Sequence, residues 1–579
     1  MDNEHPVHRL KNKAKILLSS VFGPYSKEDG YGSMESNSIE LYHNQVTRVQ
    51  GAFSLRMFHR SFGLMLIQEN VDAPTTLLDF PTLERFITEL KTKAYDIIGI
   101  SSIIPNFAKL KEMCRLVRKH QPNATLVVGG HVANIGNLKE RLEVDYVCKG
   151  EGVRWFRKFL GQDENSPIKH PAVLSGFNAR MMGLDLPSKP GDTAAILIPS
   201  VGCPMGCNFC STSALFGGKG KSIHFYETGD QLFGAMLELE KKLGVNSFFA
   251  LDENFLFHKN RALRLLELMK EHGKSWAIYI FSSARILKHY TMEQLLGLGI
   301  SWVWMGIEGK NSSYEKLHDI DTKGLIKELQ DNGIRVLGSS IIGLEDHSAE
   351  NIDEVIDHAV AHNSVFHQFM LYTPSHGTPF YEDMKAKGTL LPESECSLSD
   401  ANGQYRFNYK HQFIEKGMEE KYLIEAFTRD FKVNGPSIAR LIKTTFDGYM
   451  KHKNHPDMRV RKRIHFEARE LAGTYAGTIS ALRRKYANDP KIGKEMDILL
   501  KELYNEFGLK TRIIAPLMGL YISHTIRSEE KRLAAGMTYE PPTFYEMNAK
   551  AAALVGNATP PVAEEVSSFI PRGKVCDNG

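Results

Sequence analysis

Residues 199–222 read "PSVGCPMGCNFCSTSALFGGKGKS". Cys203, Cys207 and Cys210 form a C-x3-C-x2-C array directly after the apolar run "AAILIPS", so the thiols follow the end of a buried strand. Thiolates hold iron-sulfur clusters, normally one per iron in a cubane cluster. Three protein thiolates leave one iron with an open position, and an open position on a metal is where a reactant binds. A structural zinc site would need a fourth ligand nearby. The other cysteines, Cys114, Cys148, Cys396 and Cys576, are remote, and His224 lies beyond the loop. The array therefore predicts a 4Fe-4S cluster with a working vacancy. The tail "GGKGKS" imitates the end of a P-loop, but Leu215 stands where the first glycine is required and "SIHFYET" reads as extended rather than helical. It is read as a flexible basic loop covering the cluster.

Downstream of the array, "NSFFALD", "WAIYIFSS", "SWVWMGIE", "RVLGSSIIGL" and "FHQFMLYTP" read as strands with helical patterns between them. With the strand before the cysteines they make six strand-helix units, predicting a partial (β/α)6 barrel over 194–390 with its active residues at the strand ends. Upstream, residues 1–165 alternate in the same way. Leu83, Phe86, Ile87 and Leu90 mark one helix face, and "DIIGISS" and "ATLVVGGHVAN" are near-continuous apolar strands. The expectation is an α/β chain opening with a flavodoxin-like, doubly wound parallel sheet, whose ligand would sit beyond the carboxyl ends of the strands. Ser101, Ser102, Gly129, Gly130, His131, Gly150, Glu151 and Gly152 fall at those ends. Residues 166–193 read as a linker, 391–545 as an α-helical C-terminal domain, and 546–579 as a disordered tail.

Composition narrows the partners. Lys plus Arg number 72 against 68 acidic residues in 579, and a net charge of +4 predicts no particular polyelectrolyte. The first 20 residues hold no secretory h-region, and no segment offers the roughly 20 apolar residues of a membrane span; "IIAPLMGLYISH" from Ile513 is too short. Seven cysteines, three of them in eight positions, suit a reducing compartment, so a cytoplasmic location is expected.

The cysteine array with its strand-before, barrel-after context resembles the radical S-adenosylmethionine superfamily, and the upstream sheet resembles the cobalamin-binding domain of its cobalamin-dependent members. The resemblance implies that the open iron takes the amino and carboxylate groups of S-adenosylmethionine, and that an external donor supplies the electron. It sets Phe209 near the adenine, and either Asp252 or Glu253 of "LDENF" on the amino group. Ser283 and Arg285 of "SSAR" become carboxylate or ribose contacts, and Glu308 of "GIEG" a ribose contact. It assigns cobalamin to the strand-end residues named above. The first loop, "SSVFGPYSKEDG", lacks the Asp-x-His-x-x-Gly of cobalamin mutases, so either cobalamin is held without a protein histidine below cobalt or this domain has lost it. His131 is read as a polar loop histidine. Tyr372, at the last strand's end, is the candidate on the substrate side.

Three reactions fit this reading. One is methyl transfer to an unactivated carbon of a small or lipid-like molecule. The second is oxidative cyclisation or rearrangement without methyl transfer. The third, nucleic-acid modification, is prompted by the basic run "KHKNHPDMRVRKRIH" at Lys451–His465 but lacks the three further upstream cysteines of methylthiolating tRNA enzymes, and no nucleic-acid partner is expected.

Overall fold

The computed structural model describes residues 7–23, 25, 30–31, 45–186, 191–309, 317, 320–555 and the backbone of 569–571. Strands β1 (Ile16–Ser19), β2 (Thr75–Asp79), β3 (Ile97–Ser101), β4 (Thr125–Gly129) and β5 (Tyr146–Cys148) pair in the order β2-β1-β3-β4-β5, all parallel. This is the flavodoxin-like order, with its switch point between β1 and β3. β1 and β2 are buried along their whole length and do not alternate apolar with exposed polar residues; Asp79, the charged end of β2, is paired with Arg60.

The second sheet runs β6 (Ala195–Leu197), β7 (Ser247–Ala250), β8 (Ala277–Ser282), β9 (Ile300–Glu308), β10 (Arg335–Ile342) and β11 (Phe366–Leu371), each parallel to the next. β6 and β11 do not pair, so the barrel is open on one side. Inward aromatics fill its middle: Phe281 stacks between Phe249 and Trp304 with ring centroids 5.7 and 5.1 Å away. The two sheets share one core, in which Ile196 and Ile198 pack with Leu64, Ile67 and Phe156 of the amino-terminal unit. The strand ends of the first sheet are thereby fixed against the cysteine side of the barrel.

Three expectations need correction. Residues 166–193 are more than a linker, because strands Phe177–Met181 and Leu184–Asp185 join Arg56–Phe58 in a small antiparallel sheet. The carboxyl-terminal region is not purely helical, nor does the tail begin unstructured. β12 (Phe544–Met547) adds an antiparallel edge strand beside β2, and Ala549–Val555 is a helix. Arg60 explains the attachment: it pairs with Asp79 at 2.9 Å and Glu546 at 3.0 Å, with its guanidinium 3.8 Å from the centroid of the Phe544 ring. The rest of the expected disordered tail, residues 556–568 and 572–579, lies outside the described residues.

The basic run is largely consumed by packing. Arg463 is buried and donates to the Leu296 carbonyl, Arg459 reaches the carbonyls of Lys274 and Gly297, and Lys453 pairs with Glu506. Arg459 and Arg463 anchor helix Met458–Glu467 to the barrel instead of facing a polyanion.

Burial also sets an acid limit on the fold. It pushes His170, His347 and His362 down to about 4 and His367 to about 3. His170 is locked as a neutral imidazole, since Nε2 accepts from Ile198 N–H at 2.8 Å while Nδ1 meets the Pro171 carbonyl. Unfolded, such histidines titrate near 6.5, so below that pH the unfolded chain takes up protons that the native chain refuses. The stabilisation is complete above 6.5 and falls by about 1.4 kcal/mol per pH unit per histidine down to the folded value. Urea unfolding of His367→Phe is expected to lose less stability than the parent between pH 6.5 and 4.5.

Candidate functional site

The cysteine loop owes its path to two glycines in the left-handed region, Gly202 at φ 82° and Gly206 at φ 65°. The loop is closed by Ser200–Val201 pairing with Ile223–His224, and Cys210 caps the short helix Ser211–Leu215. The glycine-lysine tail is not a free cover. A Cβ on Gly206 would lie 2.4 Å from that of Lys219, and Gly220 N–H donates to the Pro204 carbonyl at 2.8 Å. It is a strap packed on the cysteine loop, and no helix opens at Ser222.

Cys203, Cys207 and Cys210 line one cavity of about 660 Å³ at the barrel mouth, together with Phe209, Glu253, Ser283, Glu308 and Tyr372. Among the described residues no three His, Cys, Asp or Glu side chains converge on a point fit for a single metal ion. Three thiols on one cavity suit a cluster in which each would bind a different iron. Burial pushes Cys203 up to about 11 and raises Cys210, so a cationic centre is what would hold them as thiolates.

The two acids of "LDENF" diverge. Asp252 is buried in an ion pair with Arg261 at 2.9 Å, accepts from Ser200 Oγ and from Asn254 N–H, and does not line the cavity. Glu253 does line it, and burial, helped by the Asp252 charge, raises its carboxyl to about 7. Asn254, overlooked in the sequence, bridges β7 to β8: its Nδ2 donates to Ser283 Oγ at 3.3 Å, and its Oδ1 accepts from Ser282 Oγ at 3.0 Å. Glu308 is 5% exposed and sits at φ 58°, a conformation that costs a non-glycine residue about 1–3 kcal/mol and clusters at functional sites. Arg285 corrects the sequence expectation. It is exposed on helix Ala284–Leu287, away from the cavity lining, and none of the described lining residues is Lys or Arg.

Tyr372 is both packed and cavity-lining, stacked on Phe380 at 3.9 Å with its hydroxyl 3.1 Å from Asn208 Nδ2. The far wall is neutral and polar: Ser339 Oγ donates to Gln368 Oε1 at 2.6 Å, and Gln368 Nε2 to Gln45 Oε1 at 2.7 Å. Gln404 Oε1 is buried there without a hydrogen-bond partner. Glutamines inside strands or after them carry no sequence signal, so this wall was not foreseen.

A second cavity, of about 370 Å³, runs between the ends of β3 and β4 and the helices Phe62–Asn70 and Gly152–Phe159. Ser101, Gly129, Gly130, His131, Gly150, Glu151 and Gly152 line it, Leu18 and Val127 form its throat, and Thr212 and Leu215 close it from the barrel side. Ser102 instead lines the adjoining hollow with Tyr25 and His59, and its carbonyl accepts from Val132 N–H. Glu151 serves as a helix cap, its carboxylate accepting from Val153 and Arg154 N–H. His131 Nε2 lies 3.2 Å from Thr212 Oγ1, and Asn134 Nδ2 donates to the Ser211 carbonyl at 3.0 Å, tying the first sheet to the cysteine loop. A glycine-rimmed slot with an apolar throat fits a flat macrocycle carrying a long side arm. His131 and Glu253 line both cavities, so the two chambers adjoin.

Family models agree with this arrangement. Residues 51–160 match the B12 binding domain and residues 197–359 the radical SAM superfamily. An uncharacterized methyltransferase of Pyrococcus horikoshii is 23% identical over 51% of this chain and 71% of its own length. Bacteriochlorophyllide d C-12(1)-methyltransferase of Chlorobaculum tepidum is 28% identical over 33% of this chain and 42% of its own. The anaerobic magnesium-protoporphyrin IX monomethyl ester cyclase of Rubrivivax gelatinosus is 23% identical over 55% and 63%. The last two are thus spanned over less than two thirds of their length. The radical S-adenosylmethionine methyltransferase TsrM of Kitasatospora setae, solved with cobalamin and a [4Fe-4S] cluster, is 12% identical with a TM-score of 0.48, over 79% of this chain and 99% of that one. The chain therefore joins a B12 binding domain to a radical SAM domain. It is a radical enzyme whose cofactors are a 4Fe-4S cluster, S-adenosylmethionine and cobalamin. No helix among the described residues is long and apolar enough to cross a membrane.

Proposed function

We propose that this protein is a cobalamin-dependent radical methyltransferase acting at an unactivated carbon of a small or lipid-like molecule. The observation that carries the reading is the junction at His131 and Glu253, where the slot of the first sheet meets the barrel mouth. A substrate held there lies within reach of both chambers, and the Pyrococcus and Chlorobaculum relatives are named as methyltransferases. When bound, the cluster with S-adenosylmethionine supplies a 5'-deoxyadenosyl radical, and cobalamin supplies the methyl group.

In this reading Cys203, Cys207 and Cys210 hold three irons. Glu253 accepts the ammonium group of S-adenosylmethionine, Glu308 and Ser283 meet ribose hydroxyls, and Phe209 flanks the adenine. Asp252 works through Arg261 and Asn254, as a positioning residue. The strand-end glycines with Ser101 and His131 cradle cobalamin. Gln404, with a buried acceptor to offer, and the Gln45–Gln368–Ser339 chain meet a neutral hydrogen-bonding part of the substrate. Tyr372 shapes the near wall.

Anaerobic incubation of the reconstituted protein with candidate substrates should yield 5'-deoxyadenosine and S-adenosylhomocysteine in equal amounts, with a methylated product. Cluster-bearing protein that gives neither with any substrate would overturn the proposal. The Rubrivivax relative, named as a cyclase, supports a second reading, oxidative ring closure or rearrangement. 5'-Deoxyadenosine without S-adenosylhomocysteine would select it. Removing a charge-assisted hydrogen bond costs about 1.5–3 kcal/mol, so Glu253→Gln should weaken S-adenosylmethionine binding by about 10- to 100-fold. Arg285→Ala should leave it within about twofold, as expected of a surface change. Equilibrium dialysis of the cluster-loaded variants measures both.

A further inference from the structure

The long helix Pro490–Ala534 is broken at Gly508, whose φ of 71° and ψ of −154° are not helical. Beyond the break the helix has two apolar faces. Thr511, Ala515, Gly519, Ile522 and Ile526 are buried on the side of residues 471–485, where Thr511 Oγ1 donates to the Ala472 carbonyl at 3.0 Å and a Cβ on Gly519 would lie 2.6 Å from Ser480 Oγ. On the other side Leu509, Ile513, Leu517, Leu520 and Tyr521 are 74, 56, 63, 54 and 57% exposed. Their spacing of i, i+4, i+8, i+11 and i+12 makes one stripe about 18 Å long at 1.5 Å per residue. Large apolar residues thus face solvent as well as the core, which an ordinary surface helix avoids.

Charge selects what covers this stripe. From Gly508 to Ser528 the sequence has no Asp or Glu, while Lys510 and Arg512 stand at one end and His524 and Arg527 at the other, all exposed. A second copy is disfavoured in either orientation. Parallel pairing sets Lys510 beside Lys510, and antiparallel pairing about Leu517 sets Lys510 beside His524 and Arg527. An anionic surface gains at both ends and takes the apolar stripe between its headgroups, as interfacial amphipathic helices do. We infer that this face is a peripheral docking surface for an anionic lipid bilayer. It stands independently of the reaction proposed above.

The test is co-sedimentation of the full-length, cluster-loaded protein with vesicles of phosphatidylcholine alone or with phosphatidylglycerol at roughly 3:1, the acidic lipid being what basic residues read. The parent should sediment with the anionic vesicles, and less so as salt is raised. Ile513→Gln/Leu517→Gln/Leu520→Gln should lower partitioning at least tenfold, by analogy with the loss of about 0.8 kcal/mol per withdrawn CH2. Lys510→Gln/Arg512→Gln/Arg527→Gln should lower it about fivefold per residue. All six positions are exposed, so thermal unfolding of both variants should match the parent. Failure of the parent to sediment, equal sedimentation of a variant, or equal binding to neutral vesicles overturns the inference. So does a dimer in light scattering that the apolar variant abolishes, which would give the face to a second copy. Capture by polyglutamate without vesicle binding would give it to an acidic protein and overturns the inference equally.

Discussion

Cys207→Ala is expected to strip the protein of its cluster: iron falls from about four per chain towards zero, and 5'-deoxyadenosine formation drops by more than about 1,000-fold, since two thiolates cannot hold the open-iron cubane. The loop itself should survive. Cys207 contributes its carbonyl to Cys210 N–H at 3.1 Å, a backbone contact that alanine keeps, and the strap from Gly217 to Gly220 packs on the loop through backbone and Lys219. Cobalamin content should therefore stay at the parent's level, because the slot that would hold it is built from the first sheet. Iron and sulfide analysis beside cobalamin quantitation reads both predictions from one preparation. Retention of iron and of 5'-deoxyadenosine formation would exclude Cys207 as a ligand.

Gly130→Val should give the complementary phenotype, loss of cobalamin with the cluster kept. Gly130 has φ 86° and ψ −168°, a region open essentially to glycine alone. A Cβ there would also lie 2.5 Å from the Ser102 carbonyl oxygen and 2.9 Å from Ser101 Oγ. Backbone cannot give way as the end of a side chain can, so the strand-end turn must shift. The cost is about 1–3 kcal/mol locally for such a conformation, and His131 moves with its neighbour. Cobalamin retention through anaerobic gel filtration should fall by about tenfold or more, about 1.4 kcal/mol being a factor of ten in binding. Iron content should remain. Gly136→Ala, in the same region with open space around its Cβ, serves as the neutral comparison.

The sequence disclosed those features whose cause is local. Strands buried on both faces show as apolar runs, so β3, β4 and the six barrel strands are legible as strands. The three cysteines stand within eight positions, and their spacing together with the strand before and the barrel after them carries their chemistry. Where two residues compete, the sequence was silent. Asp252 and Glu253 are adjacent acids at the same strand end, and only the place of Arg261, nine residues on, shows that the first is drawn into the core while the second faces the cavity. Arg285 failed for a related reason: the chain turns into a helix at Ala284 and carries the side chain outward. The edge strand Phe544–Met547 could not be foreseen, because its partner is more than 460 residues earlier and its anchor, Arg60, is earlier still.

By itself, then, the sequence determined the class of the two α/β units, the order in which they come, and the cysteine triad as the candidate cluster site, since these depend on periodicity and on residues close together in the chain. Tertiary structure alone decided which acid faces the cavity, that the glycine-lysine segment is a strap, and that the two chambers meet at His131 and Glu253. The reason is physical. A shared wall between two cavities is made by packing two sheets on one core, and the residues that form it, Ile196 and Ile198 against Leu64 and Phe156, carry only the generic signal of burial.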